Sequence, residues 1–212
     1  MFLSQLTLDS RMRSRQLRKD VASPYEMHRT VMKSLSRFTS EDVGRVLWRL
    51  DSEQHGNCLR LYVLSNGKPD WSAFSKEMPG YLSGPVLPPK EYPPMIPPGT
   101  LLRFRLRANP TRRDGKTGKR LGLVEREAQL DWLHRKAASC GFTLYSTDIV
   151  RDDGPRSLSK GQKGGRNLAL LSVCYDGVLR VTDAEAFRMA LQSGIGSGKA
   201  FGFGLLSIAP CK

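Results

Sequence analysis

The chain has 212 residues, 39% apolar and 25% charged, enough for one large core or two small ones in an ordinary soluble globular protein. Lysine and arginine number 34 against 20 acidic residues, a net charge of +14 with a pI near 10.0, and the surplus is uneven: 14 basic against 10 acidic residues up to position 100, 20 against 10 beyond it. This balance points to a polyanion, and to nucleic acid over a membrane, because no apolar run is long enough to span and no uninterrupted basic amphipathic helix stands out.

Residues 1–8 read as a first strand with imperfect alternation, followed by a basic connector, Arg11, Arg13, Arg15, Arg18 and Lys19, that is solvated and suited to touch a phosphate backbone. Residues 23–38 form a helix whose start is specified at several positions. Ser23 is a preferred N-cap, Pro24 fits the first helical position, and Glu26 completes an S-x-x-E capping box. At about 100° per residue, Met27, Val31, Leu35 and Phe38 share one side, while Tyr25, Arg29, Lys33 and Ser36 spread over the other. His28 lies at the edge between them, one turn beyond Tyr25, near a helix start whose dipole favours an anion. Strands are expected at 45–50 and 59–65 around a turn-rich 51–57, then a short helix at 69–76 around Trp71 and Phe74. Residues 79–98 are proline-rich and suit a linker with one short edge strand.

The second half repeats this order. In 101–108, Leu102, Phe104 and Leu106 alternate with Arg103, Arg105 and Arg107, a strand with one apolar and one arginine face. A basic loop at 109–120 precedes a helix at 125–139 that turns Ala128, Leu130, Trp132 and Leu133 inward and stops at Gly141. Strands at 142–150 and 168–173 flank a Gly- and Lys-rich loop or hairpin at 151–167, expected to be flexible. Tyr175-Asp176-Gly177-Val178 reads as a hairpin turn into a strand at 179–182, Asp183 caps a helix to Gln192, and 201–209 closes as a strand. The fold class is α+β, with tandem ferredoxin-like (RRM-like) domains over 1–94 and 95–212.

Nucleotide signatures fail on inspection. Gly115-Lys116-Thr117 lacks the first P-loop glycine, whose place Pro110 takes, and 194–204 has neither Rossmann nor P-loop spacing. Residues 199–203 only half match the RNA-recognition-motif strand signature. What remains is mechanical: glycines 196 and 198 let backbone N–H groups approach a phosphate, with Lys199 as a point charge, or else they simply make a tight turn. Cys58, Cys140, Cys174 and Cys211 form no C-x-x-C pair and have no histidine at ligand spacing, so neither a zinc site nor a disulfide framework is indicated; reduced thiols in the cytoplasm fit. No secretory signal is read.

His28 stands out by its company, whereas His55 and His134 have none of catalytic type. Cutting an RNA backbone needs a base for the 2′-OH, an acid for the leaving 5′-oxygen and positive charge for the transition state. Histidine does either proton transfer near neutral pH, tyrosine donates or positions, and lysine stabilises charge; the scheme requires no metal. Lys33 lies about 140° around the helix from His28, so its long side chain has to reach round or serve a neighbouring phosphate.

Three separated segments, Pro24 to Arg29, Phe104 to Pro110, and Gly194 through Pro210, resemble the CasE-type endoribonucleases of type I-E CRISPR systems, in the same order and over essentially the whole chain. The resemblance implies two ferredoxin-like domains and metal-independent cutting of the CRISPR precursor transcript at the base of each repeat hairpin, leaving a 2′,3′-cyclic phosphate or derived end. No cofactor is implied. His28 takes the family's catalytic position, and Tyr25 and Lys33 take supporting ones. The expected RNA contacts are Arg29, Arg105, Arg107, Arg112, Arg113, Lys116, Lys119, Arg156, Lys160, Lys163, Arg166, Gly196, Gly198 and Lys199. Implied partners are the repeat hairpin, the mature guide RNA, which the enzyme keeps, and other protein subunits of the surveillance complex, with no membrane. The competing expectations are a non-catalytic hairpin-RNA-binding subunit or chaperone of the same fold, and a basic ribosome-associated protein; a mere binder has no need of the Tyr25, His28 and Lys33 helix.

Overall fold

The computed structural model describes residues 1–35, 44–53, 58–69, 71, 76–92, 95–158 and 168–211. It divides into two compact units, Met1–Pro93 with Ala200–Gly202, and Pro94–Lys199 with Phe203–Lys212.

In the first unit, β1 (Phe2–Leu8), β2 (Leu47–Glu53), β3 (Cys58–Ser65) and β4 (Lys90–Glu91) form an antiparallel sheet of order β2-β3-β1-β4. That order is the ferredoxin-like one, with the first strand between the third and the fourth. Leu6, Leu8, Leu61, Val63 and Trp48 bury one face of this sheet together with Leu17, Met27, Val31 and Leu35. Trp71 is buried in the same core and its indole N–H donates to Ser4 Oγ at 2.8 Å, so the one polar edge of the ring is satisfied inside. The rest of the short helix expected at 69–76 lies mostly outside the described residues.

Two helices precede β2, where the sequence reading expects one helix and a connector. α1 (Arg15–Ala22) is capped by Ser14, whose Oγ accepts from the Leu17 N–H at 3.3 Å, and α2 (Pro24–Ser34) follows after a single extended residue, Ser23. The second part of the basic run is therefore helical: Leu17 is buried while Arg15, Arg18 and Lys19 face outward, and Arg11 and Arg13 precede the helix. Ser23 caps α2 as expected, accepting from the Glu26 N–H at 3.4 Å. The reciprocal half of the capping box is not made. Ser23 donates its own N–H to the Lys19 carbonyl at the end of α1, and Glu26 turns to Arg29 instead. Residues 36–38 of the expected helix lie outside the described residues.

The second unit has the same sheet order, β10-β5-β9-β8, from β5 (Leu101–Ala108), β8 (Phe142–Leu158), β9 (Leu168–Val181) and β10 (Leu206–Pro210). Tandem ferredoxin-like units are thus the fold. β5 alternates as its sequence demands, with Leu102, Phe104, Leu106 and Ala108 buried. α3 (Arg126–Ser139) and α4 (Ala184–Ser193) pack on that buried face; Asp183 Oδ1 accepts from the N–H groups of Glu185 and Ala186 at 3.0 Å, a cap worth about 1 kcal/mol. Trp132 of α3 stacks on Tyr175, and Phe187 of α4 meets Phe142 edge-on. Among the described residues no helix is long and apolar enough to cross a membrane.

Four expectations change here. The basic loop after β5 is a hairpin of β6 (Thr111–Arg113) and β7 (Arg120–Gly122). Strand pairing of β8 and β9 runs out to Leu158 opposite Leu168, so 151–158 are strand. Closure comes later than expected, at β10, after a 3₁₀ turn at Lys199–Phe201. Tyr175 to Val178 is no turn either: β9 passes straight through Gly177, which pairs with Phe104 on one side and Thr147 on the other. The glycine serves close approach. A Cβ there would lie 2.1 Å from the Ser146 carbonyl oxygen and 2.8 Å from Thr147 Cα, both backbone. Gly177→Ala is accordingly expected to cost about 1–3 kcal/mol, read as a lower urea midpoint at unchanged slope.

Candidate functional site

On α2, Tyr25 and His28 stand one turn apart and Lys33 occupies the last turn, where a cation complements the helix dipole. Tyr25 is 37% exposed and Arg29 and Lys33 are exposed, whereas His28 is half-buried beside the fully buried Met27. Burial holds the imidazole below its ordinary pKa of 6.5, because a charged ring gives up more hydration than a neutral one. Its Nδ1 is buried and has no hydrogen-bond partner among the described residues. The Arg29 guanidinium lies 5.9 Å from the centre of the Tyr25 ring and 3.4 Å from both Glu26 oxygens, which keeps it beside the phenol on the exposed side. A proton acceptor, a phenol and two cations therefore share one short helix. Ser23 accepts from one N-terminal N–H of α2 and the acidic Glu26 lies in its first turn, so the helix dipole is partly satisfied without an outside anion.

The second unit gathers cations in a cleft of about 370 Å³. Arg112, Arg113 and Arg120 from the β6–β7 hairpin, Lys136 from α3 and Lys199 line it, with Trp132 and the glycine loop as walls. The loop geometry explains its composition. Gly196 has φ +86°, and a Cβ on it would come within 3.0 Å of the Trp132 ring, so only glycine brings the backbone this close to the indole. Gly198, with φ +78°, sits likewise against Phe203. Asn109 at the end of β5 pins the loop. Its amide donates to Ser197 Oγ at 3.1 Å, its carbonyl oxygen accepts from the Leu171 N–H at 3.0 Å, and the neighbouring Arg107 carbonyl accepts from Gly204. The two distant segments 104–110 and 194–204 thus meet in space.

Arg105 and Arg107 of β5 are engaged within the unit. Arg105 forms a two-pronged pair with Asp176 at 2.6 and 2.7 Å. Arg107 donates to Ser172 Oγ at 3.0 Å and lies 5.3 Å from the Phe203 ring centre. Lys116 and Lys119 are exposed at the tip of the β6–β7 hairpin and do not line the cleft. Arg156 lies on β8 opposite Leu170; Lys160, Lys163 and Arg166 lie outside the described residues. Arg120 and Lys136 enlarge the cationic set beyond the sequence expectation. Lys136 had a signal, its place one turn beyond Trp132, but charge alone does not say which basic residues converge.

A histidine-bearing helix on one ferredoxin-like unit and a cationic cleft on the other define a nucleic-acid-handling protein. The family model described as CRISPR associated protein matches residues 1–210, and the chain belongs to that family. It is 39% identical over 218 residues to the CRISPR-associated endoribonuclease Cse3 of Thermus thermophilus, covering 99% of this chain and all of the relative. A solved structure of CRISPR endoribonuclease Cse3 bound to a 19-nucleotide RNA shares the fold at TM-score 0.87 and 38% identity, over 99% of this chain and 100% of the other. The CRISPR system Cascade subunit CasE of Escherichia coli is 35% identical over 123 residues, 53% of this chain and 59% of its own length. The resemblance to CasE-type endoribonucleases is thereby borne out.

Proposed function

We propose that this protein is the endoribonuclease that binds repeat hairpins in the CRISPR precursor transcript and cuts them to guide RNA without a metal ion. The observation that carries the reading is α2, where a half-buried histidine, its pKa lowered by burial, stands one turn from a phenol and on the same helix as Arg29 and Lys33; the 39% identity to a named endoribonuclease supports it. In this scheme His28 takes the proton of the 2′-OH. The 2′-oxygen–phosphorus bond forms, the phosphorus–5′-oxygen bond breaks, and the products are a 2′,3′-cyclic phosphate and a 5′-OH. The leaving 5′-oxygen receives its proton either from Tyr25 or, with Tyr25 only hydrogen-bonding the reacting phosphate, from the His28 imidazolium that took the 2′-OH proton. Lys33 offsets the growing negative charge.

Residues 1–94 carry the chemistry and 95–212 the grip. A-form RNA presents phosphates and shape more readily than base edges, which suits a cleft of guanidinium and ammonium groups. Arg112, Arg113 and Lys199 supply that grip with Arg120 and Lys136. Lys116, Lys119, Arg156, Lys160, Lys163 and Arg166 extend it, while Gly196 and Gly198 shape its wall. Arg29 serves a phosphate near the cut, and Arg105 and Arg107 contribute less because they are already paired. The protein keeps its product and joins the other subunits of the surveillance complex, as the Cascade relative's name suggests. We place it in the cytoplasm, where its four cysteines remain free thiols.

The pH dependence follows from the direction of the His28 shift. An unshifted imidazole would lose its basic form as pH falls through 6.5; burial moves that loss lower. Cleavage at sub-saturating enzyme should therefore rise along a limb centred below pH 6.5 and level off above it. A limb centred above that value would reject His28 as the base. The test of the whole reading is a denaturing gel of a labelled repeat hairpin in EDTA with the 3′ end mapped. Cutting to a cyclic phosphate supports it; tight binding without cutting transfers the assignment to a binding subunit.

A further inference from the structure

Between α1, α2 and the segment around Tyr81 lies a buried polar cluster that neither the cationic cleft nor the proposed proton transfers use. Asp20 is 1% exposed, and its two oxygens are shared between two elements. Tyr81 donates its hydroxyl proton to Asp20 Oδ2 at 2.6 Å, while Gln16 Nε2 reaches Asp20 Oδ1 at 2.7 Å and Thr30 Oγ1 at 3.3 Å. The Tyr81 oxygen also lies 3.5 Å from Met27 Sδ. Burial first, and then the Asp20 carboxylate, push the Tyr81 hydroxyl far above its ordinary pKa, so it remains a donor. Tyr81 is itself fixed to the end of β1, where the Asp9 N–H donates to its carbonyl at 3.0 Å.

This cluster grips α2 at Met27 and Thr30, on either side of His28. The grip matters because of two features of the helix. α1 and α2 are joined by Ser23 alone, which caps the end of one and the start of the other, so a single extended residue sets the corner between them. And Nδ1 of His28 has no hydrogen-bond partner among the described residues, so no neighbouring group aims the imidazole in the way a carboxylate aims a triad histidine. Its position is inherited from the backbone of α2. We infer that Asp20, Tyr81 and Gln16 are positioning residues for RNA cleavage, a buried clamp that sets the His28 helix against the sheet. The inference rests on His28 being the catalytic histidine.

The test compares Tyr81→Phe, Gln16→Met and His28→Ala with the wild type in single-turnover cleavage of a labelled repeat hairpin at saturating protein, with hairpin affinity and thermal midpoint measured alongside. Displacement of a reacting group by about 1 Å costs up to 100-fold, so each clamp variant is expected to cut roughly 10- to 100-fold more slowly with hairpin affinity within about twofold. Gln16→Met leaves the Tyr81–Asp20 bond in place and keeps the test open if Tyr81→Phe does not fold. A lower thermal midpoint with an unchanged cleavage rate makes the cluster merely structural and overturns the inference. Full activity of His28→Ala overturns the catalytic reading beneath it instead, so the two failures are distinguishable.

Discussion

His28→Ala is expected to slow single-turnover cleavage of the repeat hairpin by about 10²–10⁴-fold, the range that a positioned proton-transfer group supplies, which corresponds to roughly 3–5 kcal/mol of transition-state stabilisation. Hairpin affinity should stay within about twofold, because binding to a polyanion is dominated by cationic contacts and burial disfavours the charged form of His28. The substitution is structurally mild. The core side of α2 is held by Met27, Val31 and Leu35, all 0–2% exposed, and the histidine is only half-buried at its edge with no hydrogen bond to lose at Nδ1. Rate and affinity are read separately by titrating the hairpin with each protein in EDTA and then following cleavage at saturation. Comparable losses in both would make His28 a binding or structural residue. Tyr25→Phe and Lys33→Ala belong in the same series, with smaller losses expected, since charge and positioning are shared with Arg29 on the exposed side of the helix.

Why α2 could be read from sequence and α1 could not is a question of where the signals lie. Ser23, Pro24 and Glu26 are local and act within one turn, and the apolar side of α2 repeats at helical spacing; the structure keeps the cap and the core side, and only the back-bond of Glu26 is lost, because α1 already holds the Ser23 N–H. α1 also carries a cap, but its buried side mixes Leu17 with Asp20. The Asp20 carboxylate accepts its hydrogen bond from Tyr81, 61 residues away, and no periodicity of apolar residues announces such a partner. Gly177 fails for a similar reason. Asp-Gly flanked by strand formers is a strong turn signal, yet here the glycine answers to Ser146 and Thr147 on the neighbouring strand. The basic residues were legible as a charge excess and illegible as a site. Arg105 and Arg112 look alike in sequence, but one is engaged by Asp176 and the other lines a cleft.

That contrast gives the second large expected effect. With each phosphate contact, the binding constant acquires a salt exponent of roughly 0.7–0.9, so near 0.1 M salt each lost contact costs about 0.7–0.9 of a decade. Replacing Arg112, Arg113 and Arg120 together with glutamine should therefore weaken hairpin binding by about 10²–10³-fold and flatten the plot of log K against log salt by roughly 2–3. All three side chains are exposed, on a short hairpin outside the four-stranded sheet, so their replacement leaves the packed core of the unit intact. Arg105→Gln is the internal comparison. Its guanidinium already holds the Asp176 carboxylate through two hydrogen bonds, so an incoming phosphate would have to displace an anion before gaining one, and the salt slope should change by well under one. Equal slopes for the triple variant and the wild type would remove the cleft from the RNA interface. A large slope change for Arg105→Gln would instead put the open face of the second sheet against RNA, with the Asp176 pair opening to receive it.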